Sequence, residues 1–112
     1  MNPDSLKYLQ DILDSILRIE YHVKDLQSFT DYTNNLTVID AVERRLAIIG
    51  EALWKASKAD EQIKVTDQKK IIALRHILIH DYDLVDDASI WRVIQNNLNT
   101  LKDEINGYIT TN

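Results

Sequence analysis

Ile71-Ile72-Ala73-Leu74-Arg75-His76-Ile77-Leu78-Ile79-His80 contains no glycine and no proline. Wound as a helix, it carries apolar side chains on nearly every side. A helix apolar all round is expected to be buried all round. Arg75 and His76 in its middle are then costly unless they find partners or face a cavity. Local conflict of this kind tends to mark a functional site. The helix is read from a start near Thr66 or Asp67 to about His80, with Asp81-Tyr82-Asp83 as its end.

Helical spacing extends outward from this stretch in both directions. The whole chain has only two glycines and one proline, and so little punctuation favours long helices. A first helix is read from Pro3 to about Gln27. Asn2 caps it, Pro3 suits its first position, and Leu6, Leu9, Leu13, Ile16, Val23 and Leu26 form its stripe. A second runs from about Val38 to Ala56, capped by Thr37 or Asn35, with Val42, Leu46, Ile49 and Leu53 facing inward. The last starts at an Asp86/Asp87 cap, carries Ile90, Ile94, Leu98, Leu101 and Ile105, and ends near Gly107, read as the glycine just beyond the helix. The connections, 28–36, 57–65 and 81–85, are short and polar. Short connections make neighbours antiparallel, so the expected fold is an all-α, up-and-down four-helix bundle, one domain over residues 1–112.

Bulk properties narrow the function classes. With 45% hydrophobic residues the chain has enough for one core, and a domain this small gains from burying more surface in a dimer. The absence of cysteine excludes disulfides and thiolate metal sites and fits a reducing compartment. No apolar run approaches the roughly 20 residues that span a bilayer. Met1-Asn2-Pro3-Asp4 lacks the basic-then-apolar pattern of a secretory signal, so a cytoplasmic location without membrane contact is expected. The net charge of −5 alone argues against nucleic acid, because phosphate contacts need Lys and Arg. Its distribution argues otherwise. Residues 44–75 hold 8 basic and 4 acidic side chains, between segments of net −5 and −4. Arg44, Arg45, Lys55, Lys58, Lys64, Lys69, Lys70 and Arg75 could form a local basic surface, or an ordinary solvated face.

Each candidate residue has a plain structural reading beside the functional one. Arg75 could pair with Glu51 or Glu43 as an internal strut, and His80 could cap the C-terminal end of its helix. At about 100° per residue, Arg75 and His80 point roughly 140° apart on one regular helix. They converge on one phosphate only if the helix ends before His80 or if two copies of it meet. His76 and His80 stand four apart, but the zinc-protease pattern needs Glu after the first His and Ile77 is there, so no metal and no other cofactor is expected. Trp54 and Trp91 are read as core or interface residues. Phe29 and Tyr32 could stack on a base but are expected to cover the end of the bundle.

The run from Arg75 to Tyr82 reads Arg, four residues, His, one residue, Tyr. It resembles the signature of the HepT-like ribonucleases of the HEPN superfamily. His76 takes the polar place after the Arg, where HepT-like chains usually carry Asn. Glu43-Arg44-Arg45-Leu46-Ala47-Ile48-Ile49-Gly50-Glu51-Ala52 resembles the family's second helix, and the likeness in helix order covers nearly the full length. The resemblance implies a metal-independent endoribonuclease acting as a homodimer, the toxin of a type VII-like toxin–antitoxin pair. The implied partner is an MntA-like nucleotidyltransferase antitoxin, which would silence the toxin by transferring AMP to the motif tyrosine, Tyr82 here. RNA is the implied substrate; some HepT relatives act on tRNA.

The residue types suit that chemistry. RNA carries its own nucleophile in the 2′-hydroxyl. Imidazole titrates near neutrality, which fits His80 for moving the protons. Arginine offers a permanent charge and a planar donor fork, which fits Arg75 for a developing phosphorane. His76 and Tyr82 are supporting residues. A non-catalytic helical subunit of a two-component nucleotidyltransferase uses the same residues to hold a phosphate without cleavage.

Overall fold

The computed structural model describes residues 1–111, and its elements are helical. Helix α1 spans Pro3–Val23, and the Asn2 side chain accepts from Ser5 N–H (2.8 Å). A short helix α2, Phe29–Thr33, lies inside the first expected connection. Helix α3 spans Leu36–Ala59, capped by Asn35, whose side chain accepts from Val38 N–H (3.1 Å). Helix α4 is Gln68–His80, followed by a 3-10 turn at Tyr82–Leu84. The last rod begins as α5, Asp87–Arg92, capped by Asp86. It passes through one π-helical turn, Val93–Asn97, and continues as α6, Leu98–Thr110.

The expected all-α bundle is the observed architecture. Helix α3 is central, with α1 packed along one side and α4 along another, and α1 also meets α6. Leu9, Ile12, Ile16 and Ile19 of α1 meet Val42, Leu46, Ile49 and Leu53 of α3 in a core that Leu101 and Ile105 of α6 complete. Fully burying each such side chain is worth about 1.5–3 kcal/mol. Trp91 packs against the fully buried Tyr32, ring centroids 5.4 Å apart, so α2 closes one end of the bundle. Trp54, by contrast, stays 42% exposed.

Three local expectations change. Helix α1 stops at Val23 rather than near Gln27, because Ser28 caps a new helix. Gly107 lies inside α6 without a positive φ, and the helix continues to Thr110. The largest change concerns α4: Ile71 is its one buried residue. Ile72, Leu74, Ile77 and Leu78 are half-buried, and Ile79 is 50% exposed. Among the described residues, α3 is the one helix that packs extensively along α4, so its other flanks stay open.

The N-terminal end of α4 is nevertheless well anchored. The Glu104 carboxylate accepts from Thr66 N–H (3.1 Å), and the Tyr108 hydroxyl accepts from Lys64 N–H (3.0 Å). Asp67 sits in the left-handed region (φ 57°), and its carboxylate accepts from the Asn97 side-chain amide (2.8 Å). These bonds tie the α3–α4 connection to the last rod and set the direction in which α4 leaves it.

Candidate active site

Helix α4 carries Arg75, His76 and His80 on one unbroken segment that runs through His80. An early end to the helix is therefore not how Arg75 and His80 are brought together. Arg75 faces α3. A Cβ placed on Gly50 would lie 2.8 Å from the Arg75 Cβ, 3.0 Å from the Ile71 carbonyl oxygen and 3.2 Å from the Arg75 nitrogen. The two helices meet here because Gly50 has no side chain. The Arg75 guanidinium pairs with the Glu51 carboxylate, which also lies 3.5 Å from the Lys55 ammonium. The strut to Glu51 expected from sequence is thus present, but it is not internal: the Arg75 side chain remains 36% exposed. An arginine with a carboxylate partner and solvent on one side can exchange that partner for a phosphate without crossing a buried state.

The histidines stand on the other flank. His76 and His80, one helical turn apart, bring their rings to 5.0 Å between centroids, tilted by 48°. His76 Nε2 lies 3.4 Å from an Asp81 carboxylate oxygen. Asp81 ends the helix, its N–H donating to the Ile77 carbonyl (3.0 Å). Tyr82 then opens the 3-10 turn and is 70% exposed. His76, His80, Asp81 and Tyr82 therefore share one end of α4, while Arg75 points away along α3. Among the described residues, no three of His, Asp or Glu come together in a way that could hold a metal ion.

Arg75 opens onto a groove of about 450 Å³ between α1, α3 and the end of α4. Arg44 and Lys55 of the basic central segment line it, joined by Lys7 and Tyr8 from α1. Lys58 and Lys64 line a different depression. Three contributors were not legible as site residues. Gly50 has no local sign of its contact with α4, and Lys7 and Tyr8 lie in the acidic N-terminal part of the sequence and reach the groove only through α1–α3 packing.

Away from the groove, Glu43 is half-buried near Asp87 and Asp40. Burial first, then those two carboxylates, holds its carboxyl above the usual range. Burial, then Glu43 and Asp87, pushes the Tyr32 phenol far up, so it stays neutral.

Comparison with known proteins identifies a family. The family model described as "Ribonuclease HepT-like" matches residues 12–107. A Methanocaldococcus jannaschii protein described as "Putative RNase MJ1380" is 31% identical over 103 residues, covering 91% of this chain and 94% of that one. A second protein of that organism, "Gamma-glutamylcyclotransferase and putative RNase MJ0434", is 36% identical over 106 residues, 94% of this chain but 47% of its own length; the chain spans about half of it. A Caldanaerobacter subterraneus subsp. tengcongensis protein, "Putative RNase TTE0752", is 31% identical over 99 residues, 88% of each chain. No solved structure matches. A helical bundle matched by that family model over residues 12–107, and by relatives about 31% identical over nearly their whole length, belongs to the HepT-like ribonuclease family.

Proposed function

We propose that this chain is a metal-independent endoribonuclease toxin that works as a two-fold dimer. The observation that carries this reading is the split of its motif. Arg75 and His80 sit on one continuous helix, roughly 140° apart at 100° per residue, so one protomer does not aim both at one phosphate. The same helix leaves its apolar residues half open, as a helix awaiting a second copy would. Joined across a two-fold axis, each copy's Arg75 meets the other's His80.

The reaction needs no group from outside the protein and the RNA. The ribose 2′-oxygen attacks the adjacent phosphorus while its proton passes to a base. The bond from phosphorus to the 5′-oxygen breaks, and that oxygen takes a proton from an acid. The products are a 2′,3′-cyclic phosphate and a 5′-hydroxyl. His80 moves protons in this scheme, typically worth about 10²–10⁴ in rate. Arg75 leaves Glu51 for the phosphorane oxygens, whose charge it stabilises. His76 and Asp81 orient the His80 ring.

Tyr82 is the site of silencing. An MntA-like nucleotidyltransferase antitoxin brings ATP; the phenolic oxygen attacks its α-phosphorus, pyrophosphate leaves and the phenol proton goes to solvent. The AMP adds bulk and a negative phosphate at the end of α4, opposing RNA entry by sterics and charge. High exposure of Tyr82 favours this.

The test is cleavage of end-labelled cellular RNA in EDTA by protein made without its antitoxin. Wild type is expected to cut and leave 2′,3′-cyclic ends and His80→Ala to be silent; in a second arm, incubation with the nucleotidyltransferase and ATP is expected to silence wild type while Tyr82→Phe escapes AMP transfer. A product with a free 3′-hydroxyl contradicts the mechanism.

A further inference from the structure

The groove beside Arg75 is opposite in sign to the net charge of the chain. Lys7, Arg44, Lys55 and Arg75 line it with only Asp11 and Glu51 opposing them, giving a local net of +2 in a chain of net −5. Lys7 pairs with Asp11 (3.0 Å), and Lys55 and Arg75 share Glu51. Arg44 is the lining cation without an ion pair among the described residues.

Tyr8 forms part of the same wall. Its ring is half-buried against the core, and two ammonium groups hover near its face, Lys7 Nζ at 5.5 Å and Lys55 Nζ at 5.9 Å from the centroid. Both lysines have exposed, flexible side chains and swing aside at little cost. An aromatic platform fixed by the core and ringed by mobile cations is how single-stranded nucleic acid is held without base readout: the base stacks, and the cations follow the backbone.

We propose that this groove is a subsite for one nucleotide of single-stranded RNA next to the scissile phosphate. Tyr8 stacks the base, Arg44 takes the neighbouring phosphate, and Lys7 and Lys55 turn from the ring to the backbone. The volume, about 450 Å³, lies within the range of small-ligand sites. Arg75 stands at the mouth, so the strand passes from the subsite directly to the reacting phosphate. This assignment rests on the ribonuclease reading for its substrate and on the groove for its location.

Binding separates the two. A 2′-O-methyl RNA decamer lacks the nucleophile and reports affinity without cleavage. Titrated against the full chain, Tyr8→Phe is expected to bind within about two-fold of wild type, because the π face is kept. Tyr8→Leu keeps the bulk that packs on the core and is expected to bind about 5- to 150-fold more weakly. In steady-state cleavage the same variant raises KM and keeps kcat, the pattern of lost uniform binding. Arg44→Gln, on an exposed position, is expected to flatten the salt dependence of log Kd by about 0.7. Tyr8-dependent binding by a chain that cuts no RNA would support the subsite and sink the ribonuclease reading. Cleavage by wild type, with Tyr8→Leu folded and its Kd and KM unchanged, would overturn the subsite alone. Displacement of the decamer by AMP at equal concentration would overturn it too, since the groove would then hold a free nucleotide.

Discussion

At the scale of single residues, Gly50 decides where Arg75 stands. Alanine in mid-helix normally gains about 1 kcal/mol over glycine. Here the new methyl meets the Ile71 oxygen and the Arg75 backbone at 3.0–3.2 Å, and backbone does not step aside as a side-chain tip does. Overpacking of this kind costs typically about 1–3 kcal/mol, so the clash outweighs the propensity. Gly50→Ala is therefore expected to lower Tm and, by pushing α4 off α3, to lower cleavage further than the fraction unfolded explains; unchanged Tm and rate would show that α4 accommodates the methyl. The candidate motif residues could be picked out in the sequence because Arg75, His80 and Tyr82 lie close together along it. Gly50, Lys7 and Tyr8 were not, because their roles depend on which helix faces which, and that is set by packing between segments far apart in the chain.

At the scale of elements, the four long helical segments followed from the apolar spacing and from caps such as Asn2, Asn35 and Asp86. What the pattern misjudged was α4, whose apolar character pointed to burial that a single protomer does not provide. Leu84, just beyond it, is 73% exposed. Leu84→Glu is expected to leave protomer stability nearly unchanged and to lower the mass measured by light scattering; an unchanged mass would place the self-association face elsewhere. The junction of α2, α3 and α5 gives a pH signature. The folded state raises the Glu43 pKa, so the stability linked to its proton is fully present below its unfolded value, about 4.3, and is lost as pH rises through the raised folded value. Glu43→Gln is thus expected to raise Tm at pH 7 and to leave it unchanged near pH 4, as followed by thermal melts at the two pH values. A gain that is the same at both would assign the effect to something other than this titration.

At the scale of the molecule, an acidic chain presents a groove of local net +2, and that groove leads to the arginine of the motif. Association with RNA is accordingly expected to weaken steeply with salt, through release of counterions at the contacted phosphates. The two-copy arrangement is the central claim, and subunit mixing tests it most directly. Arg75→Ala and His80→Ala proteins, each inactive alone, are unfolded together, refolded and assayed in EDTA on end-labelled RNA. A mixed dimer carries one site with both groups intact, so random assortment is expected to restore roughly a quarter of the wild-type rate. A mixture as silent as its parents, while wild type cuts, would contradict a site shared between copies.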